Sequence, residues 1–310
     1  MSEYIFSIHE VVEYIFENLD LQTKLHFISC NKFLRYTYSH LIRINDIKYL
    51  TNNDIKRKFF NNCTSCKLSS KLKEYPRYLK RVFLSDKFDG SIKDIPDCIT
   101  HLRFDYGFNQ PIDDLKKFIF ITHLKFGRHF NQPVNNLPGN IIHLTFGDCF
   151  NQPIDNLSGN ITHLTFGFDF NQPINNLPGN LTHLTFGEHF NQPIKNLPGN
   201  LTHLTFGYFF DQPINNLPGN LTHLTFGYFF NQQINSLPRK ITHLTFEWCF
   251  TQPVNNLPDN ITHLTFGRFF NQSINDLPGN LTHLTSYKLF DKFVLEDVPK
   301  SVMHLIFRYR

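Results

Sequence analysis

Alanine does not occur in the 310 residues, and tryptophan occurs once. Beside abundant Asn, Ile, Lys and Phe, the missing alanine looks like an AT-rich coding bias, which carries no chemistry. Other scarcities exclude whole classes of protein. No run approaches the 18 or more apolar residues of a membrane span, so no membrane partner is expected. The opening MSEYIFSIHE lacks a basic stretch followed by an apolar one, which predicts no secretory signal and a cytoplasmic chain. The six cysteines fall at irregular places and make no disulfide framework. The recurring Asn-x-Thr triplets are then by-products of a repeat and not sugar sites. Residues 79–310 carry 18 Lys and Arg against 18 Asp and Glu, so the net charge of +4 sits in residues 1–78. A neutral stretch of this length lacks the footprint of phosphate-backbone binding, so nucleic acid is not an expected partner. There is no nucleophile with a base, no paired carboxylates, no phosphate-cradling glycine loop and no metal-ligand spacing. No enzyme, cofactor or metal is expected.

What the chain has in quantity is one stretch, LTHLTFGYFFDQPINNLPGN at 201–220, and its near-copies. A histidine recurs in one register at His101, His123, His143, His163, His183, His203, His223, His243, His263, His283 and His304. The step is 20 residues, except 22 after His101 and 21 after His283, and Arg81 holds the same register one row earlier. Fixed short-period self-similarity is the signature of a solenoid, whose turns bury their apolar faces against their neighbours.

Positions 1 to 20 of a row are counted here from Leu201 to Asn220. Apolar residues at positions 1, 4 and 6, with polar residues between the last two, give the alternation of a strand with one face in a core. Position 10 is phenylalanine in nearly every row. Prolines at positions 13 and 18 remove backbone donors and fix φ, so the return segment cannot be an α-helix. One short parallel strand per row with an extended or 3₁₀-like back is the expected unit. Asparagine at position 11 is read as a structural ladder whose amide serves corner backbone groups as donor and acceptor. The histidines should lie on the strand face opposite the leucines, solvent-reachable on a concave side. Uniform occupancy argues against a catalytic or metal centre in that ladder, which needs a cluster of differing ligands.

The skeleton L-P-x-x-L-x-x-L-x-F resembles a short leucine-rich repeat. The string Phe-Asn-Gln-Pro-Ile, as at Phe150 to Ile154, is closer still to the FNIP repeat, found in slime moulds and amoeba-infecting giant viruses, where it can follow an F-box. This resemblance covers residues 79–310, about twelve turns with a degenerate C-terminal cap, and implies a mainly β, leucine-rich-repeat-like parallel solenoid. Asp211 and Thr251 stand for Asn, Gln233 and Ser273 for Pro, and Glu247 for Gly.

Residues 1–45 read as short amphipathic helices, with Ser7 and Glu10 at capping-box spacing. The order Ile15-Phe16, Leu19, Leu25 and then Ser-Cys-Asn-Lys-Phe at 29–33 resembles an F-box. That resemblance implies docking onto the Skp1 subunit of a cullin-based ubiquitin ligase through Ile8, Val12, Ile15, Phe16 and Leu19. The plain alternative is a helical cap on the first turn. Residues 46–78 read as a charged linker, in which Cys63-x-x-Cys66 supplies two ligands where structural zinc needs four.

The rows disagree at positions 8 and 9. Phe168, Tyr208, Phe209, Tyr228, Phe229, Trp248, Arg268 and Phe269 fall there. Either they form an exposed edge of interaction-prone residue types, or one of each pair folds inward beside position 10. The expected function is a non-catalytic substrate-recognition adaptor of a Skp1-cullin ligase, its repeats holding an unidentified target protein. A stand-alone binding or structural solenoid is the alternative.

Overall fold

The computed structural model describes residues 48–50, 64–88, 91–287 and 298–308. The helical unit expected over residues 1–45, with Ile8, Val12, Ile15, Phe16 and Leu19, therefore lies outside the described residues, as does Cys63. The chain divides into two compact units, residues 1–103 and 104–310.

In the first unit, strands β1 (Lys48–Leu50), β2 (Ser65–Leu68) and β3 (Arg81–Leu84) pair in parallel, Lys48 facing Cys66 and Ser65 facing Arg81. This corrects the expectation of a linker over residues 46–78. A row needs apolar residues at the strand and the corner, not the histidine and phenylalanine signature. Cys66, Leu68, Leu72 and Leu79 supply them, all buried. Cys66 is thus a buried core residue in a strand, where a loop thiol was expected. The back of the next row contains a 3₁₀ turn at Ile92–Asp94, closed by a capping box between Ser91 and Asp94. Strand β4 (His101–Phe104) follows.

The second unit is a parallel β-solenoid. Its strands are β5 (His123–Lys125), β6 (His143–Thr145), β7 (His163–Thr165), β8 (His183–Thr185) and β9 (His203–Thr205). They continue as β10 (His223–Thr225), β11 (His243–Thr245), β12 (His263–Phe266), β13 (His283–Ser286) and β14 (His304–Phe307). Each pairs in parallel with the next and sets histidine opposite histidine. The regular strands have a buried leucine between a half-buried histidine and a half-buried threonine or, at β5, an exposed lysine. A 3₁₀ back occurs in the row at Asp113–Lys117; the regular rows return through extended segments and tight turns. One such turn runs from Pro198 to Leu201, whose N–H donates to the proline carbonyl at 3.2 Å.

The core consists of phenylalanine columns. Position 6 rings stack on the next row at 5.5–6.1 Å, and position 10 rings at 6.0–6.2 Å. Within a row the two rings face each other at 3.8–3.9 Å. The offset stacking between rows, at 5.5–6.2 Å, adds about 0.5–1.5 kcal/mol per pair beyond the area buried.

Glycine at position 7 has a steric cause. A Cβ on Gly187, Gly207 or Gly227 would stand 1.7–1.9 Å from the carbonyl oxygen of the preceding row. Glycine at position 19 has open space around it, as at Gly179, Gly199 and Gly219, and Arg239 and Asp259 substitute there. No described glycine adopts a positive φ.

Two polar ladders clamp the corners. The Oδ1 of position 11 accepts the N–H of position 11 in the following row and the Nε2 of the glutamine beside it. Asn191 Oδ1 takes Asp211 N–H at 3.0 Å and Gln212 Nε2 at 3.1 Å. The role is therefore that of an acceptor, narrower than the donor-and-acceptor expectation, and Asp211 performs it equally toward Asn231 and Gln232 at 2.9 Å. A second ladder was not anticipated: the Nδ2 of position 20 donates to the position 19 carbonyl of the previous row, as from Asn200 to Gly179 at 2.9 Å.

Candidate functional site

Two surfaces flank the buried leucine and phenylalanine columns: the outer face of the strands and the edge formed by positions 8 and 9. On the strand face the imidazoles of His123 to His304 stack at 4.1–4.4 Å. Each regular ring rests its Nδ1 on the hydroxyl of the threonine before it, 2.9 Å away for Thr202 and His203. That hydroxyl donates its single hydrogen to the threonine carbonyl one row back, 3.1 Å from Thr202 to Thr182. An oxygen that has given its hydrogen to a carbonyl can only accept from the imidazole. The network therefore assigns the proton to Nδ1 and leaves Nε2 with its lone pair. Burial of the ring, then the like charge its neighbours would carry, pulls His163 and His243 down to about 4. His183, His203 and His283 are lowered for the same reasons. The column is a uniform wall of one residue type.

The edge is different in kind. Its backbone is as regular as the strands: each position 9 N–H donates to the position 8 carbonyl of the row before, from Cys149 to Arg128 at 2.8 Å and from Phe209 to Glu188 at 2.9 Å. The side chains above that ladder vary. The expected aromatic residues all lie here, and neither member of a pair folds into the core. Position 8 residues form a half-buried stack, Tyr208 on Tyr228 at 4.5 Å and Tyr228 on Trp248 at 5.3 Å. Arg268 closes the stack, its guanidinium 5.4 Å above the Trp248 ring. Position 9 residues project outward: Phe209 is 40% exposed, Phe229 42% and Phe269 52%. Phe209 and Phe229 stack at 5.5 Å. Phe168, 40% exposed, meets the chain of rings through His189 at 4.4 Å. Glu247, which stands where other rows have glycine, borders the Tyr208–Tyr228 stack, and burial raises its carboxyl above the usual range.

Earlier rows carry a shallow groove of about 700 Å³ on the same edge, lined by Cys149, Asp169, His189 and the asparagine ladder. The opposite, entry side of the strands holds an apolar patch that the sequence reading missed. Ile119 and Phe120 are 59% and 57% exposed, beside Ile142. Its signal was the run Phe118-Ile-Phe-Ile121 in place of the polar residues of other rows. Among the described residues no helix is long and apolar enough to cross a membrane.

With this geometry in view, the FNIP Repeat family model matches six stretches that together span residues 119–285, more than half of the chain. The chain belongs to the FNIP-repeat family. The chain is similar to the solved structure of CroV588, described as a novel circular LRR protein, at 34% identity and a TM-score of 0.64. The match covers 86% of this chain and 48% of CroV588, so the FNIP chain spans about half the length of that protein. The solenoid is accordingly leucine-rich-repeat-like, with turns of about 20 residues. YopM, a leucine-rich effector protein from Yersinia pestis, aligns at 17% identity and a TM-score of 0.48, covering 80% of this chain and 78% of YopM. No curated protein matches the FNIP chain at a significant level.

Proposed function

We propose that this FNIP-repeat protein is a non-catalytic, cytoplasmic substrate-recognition adaptor of a Skp1-cullin ubiquitin ligase. Residues 1–45 dock the Skp1-like subunit through Ile8, Val12, Ile15, Phe16 and Leu19, and the repeats hold a target protein along the edge of positions 8 and 9. One observation carries the binding half of this reading. On a backbone ladder that repeats row after row, the side chains of that edge change in almost every row, and they change to exposed Phe, stacked Tyr and Trp, and Arg. Those residue types anchor protein interfaces, and a contiguous exposed apolar patch marks a binding surface. The ligase half rests on the F-box resemblance of the first 45 residues.

A stand-alone binding solenoid with an N-terminal helical cap has one observation in its favour. Strand β1 begins at Lys48, so little chain separates residues 1–45 from a paired strand. A pull-down of Skp1 by the full chain and by its Ile15→Asp/Phe16→Asp variant decides between the two. Each carboxylate places a charge in a buried apolar contact, which costs several kcal/mol when unpaired. Capture by the parent chain, lost in the variant while circular dichroism stays that of folded repeats, supports the adaptor. No capture by the parent chain leaves the solenoid as a binding protein alone.

A further inference from the structure

The central rows of the edge hold negative charge without positive charge to match. Positions 7 to 11 of the six rows from Gly147 to Thr251 carry Asp148, Asp169, Glu188, Asp211 and Glu247, and no lysine or arginine. Three of these carboxylates are engaged. Asp148 pairs with Arg128 at 3.2 Å, Asp169 lies 3.3 Å from His189, and Asp211 accepts from Asn231 and Gln232 at 2.9 Å. The carboxylates of Glu188 and Glu247 have no hydrogen-bond or ion-pair partner among the described residues. Arg308 acts on Glu247 only at longer range and donates instead to the Tyr287 hydroxyl at 3.2 Å.

These two glutamates share one groove of about 390 Å³. Glu188 stands in its first row and Glu247 in its last, with Tyr208 and Tyr228 between them. Glycine at 207 and 227 keeps the groove open, and Glu247 closes it where the next row would have a third glycine. The chain itself shows what settles against such rings. Arg128 lies over Tyr106 at 5.3 Å, Arg268 over Trp248 at 5.4 Å and Arg308 over Tyr287 at 5.7 Å. Among the described residues, every edge tyrosine or tryptophan therefore carries an arginine except Tyr208 and Tyr228, which have carboxylates at either end instead.

We propose that this groove receives an extended, arginine-bearing segment of the target protein, one guanidinium meeting Glu188 and a second meeting Glu247. The inference rests on the reading of the edge as the target-binding surface and names the chemistry of the target. Arginine fits better than lysine because its planar fork binds a carboxylate in two places and lies flat on an aromatic ring. The spacing fits an extended chain. The two glutamates are three rows apart, about 14 Å at the separation of neighbouring strands, and residues four apart in an extended segment span about 13 Å on one face. Recognition falls to side chains, because the edge backbone is already paired with itself, Phe229 N–H on the Tyr208 carbonyl and Cys249 N–H on that of Tyr228. Phe209 and Phe229, exposed beside the groove, give the rest of the segment an apolar surface.

The test uses the full chain and a fluorescein-labelled glycine-serine peptide with two arginines four residues apart, read by fluorescence anisotropy. Its counterpart has citrulline, the neutral isostere, at both places and should bind about tenfold more weakly. Glu188→Gln and Glu247→Gln should each weaken the arginine peptide about 2–5-fold, the scale of an exposed ion pair. Asp276→Asn, which removes a carboxylate from the return segment, should leave binding unchanged. The proposal is overturned if the arginine peptide does not bind, if the citrulline peptide binds as well, or if the double Gln variant binds like the parent. A random-peptide display on the same chain separates this failure from that of the wider reading. Captured peptides that carry no basic residue but are lost in Phe209→Ser/Phe229→Ser keep the edge as a binding surface and refute arginine recognition. A display that yields no peptide dependent on the edge refutes both.

Discussion

The strand face and the edge are built on equally regular backbone and carry opposite kinds of information. From His143 to His283 every regular strand presents the same His-Leu-Thr, while the edge a few residues later never repeats a pair except at Tyr208-Phe209 and Tyr228-Phe229. On the face the histidine rings stack on their copies in the next row and the threonines before them bond to the row behind, so the fold dictates them. On the edge the backbone ladder repeats from row to row, while the side chains that meet above it differ in kind from row to row. The difference teaches where to look in a repeat protein: not at what recurs, but at what the recurring scaffold leaves unspecified.

Breaking a scaffold column should have the largest effect. Phe210→Ala removes a fully buried ring that stacks on Phe206, Phe190 and Phe230. It should cost about 3–5 kcal/mol in denaturant unfolding. A loss below 1 kcal/mol would mean that the phenylalanine columns are not the core. Gly207→Ala comes next, because its Cβ meets backbone at 1.9 Å and the row must shift, for about 1–3 kcal/mol. Glu247 shows that one row has made such an adjustment, which keeps this figure below that of the ring deletion.

The asparagine ladder allows a sharper comparison. Asn191→Ala leaves the Asp211 N–H without its acceptor and should cost about 1–3 kcal/mol, whereas Asn191→Asp, on the precedent of Asp211, should be close to neutral. Equal losses in the two variants would show that the amide nitrogen matters and that the acceptor reading is incomplete.

The histidine column predicts a pH dependence of known sign. Its lowered groups bind protons less readily folded than unfolded, where histidine titrates near 6.5. Stability is therefore full above that pH and declines as the pH falls from about 6.5 toward about 4, the value reached by His163 and His243. The melting temperature should drop between pH 7.5 and 4.5. A flat profile over that range would remove the column from the account. Smallest of all should be Phe229→Ser on the edge, within about 0.5 kcal/mol of the parent in stability. A larger loss there would make the edge part of the scaffold and erase the contrast.

Much of this was legible in the sequence because repetition turns composition into geometry. The strand positions, the phenylalanine columns and the position 11 ladder follow from a period of 20 and an alternation of apolar residues. Several things were not. Strands β1 and β2 lack the histidine and phenylalanine signature, and Cys66 and Leu68 do the work of leucine and phenylalanine with a different vocabulary. The sense of the asparagine ladder needed its distances, although Asp211 was a clue that only an acceptor is required. Cys149, Asp169 and His189 look unrelated at a separation of 20 residues, and only the stacking of rows brings them along one groove.

The sameness of the rows also bears on how the chain finds its register. The hydrogen bonds from Asp211 to Asn191, from Asn200 to Gly179 and from Thr202 to Thr182 join residues one period apart, give or take a residue. The corresponding groups two rows away are nearly interchangeable with them. If one row were looped out, its neighbours could meet with the remaining clamps re-formed. The loss would be one row's burial and the closure of a loop, a term that grows only slowly with loop length. Misalignment by a whole row is thus a shallow trap rather than a forbidden state, and among the rows that regularity makes alike, the odd ones, such as that of Glu247 and Thr251, are what tell the folding chain how far along it is.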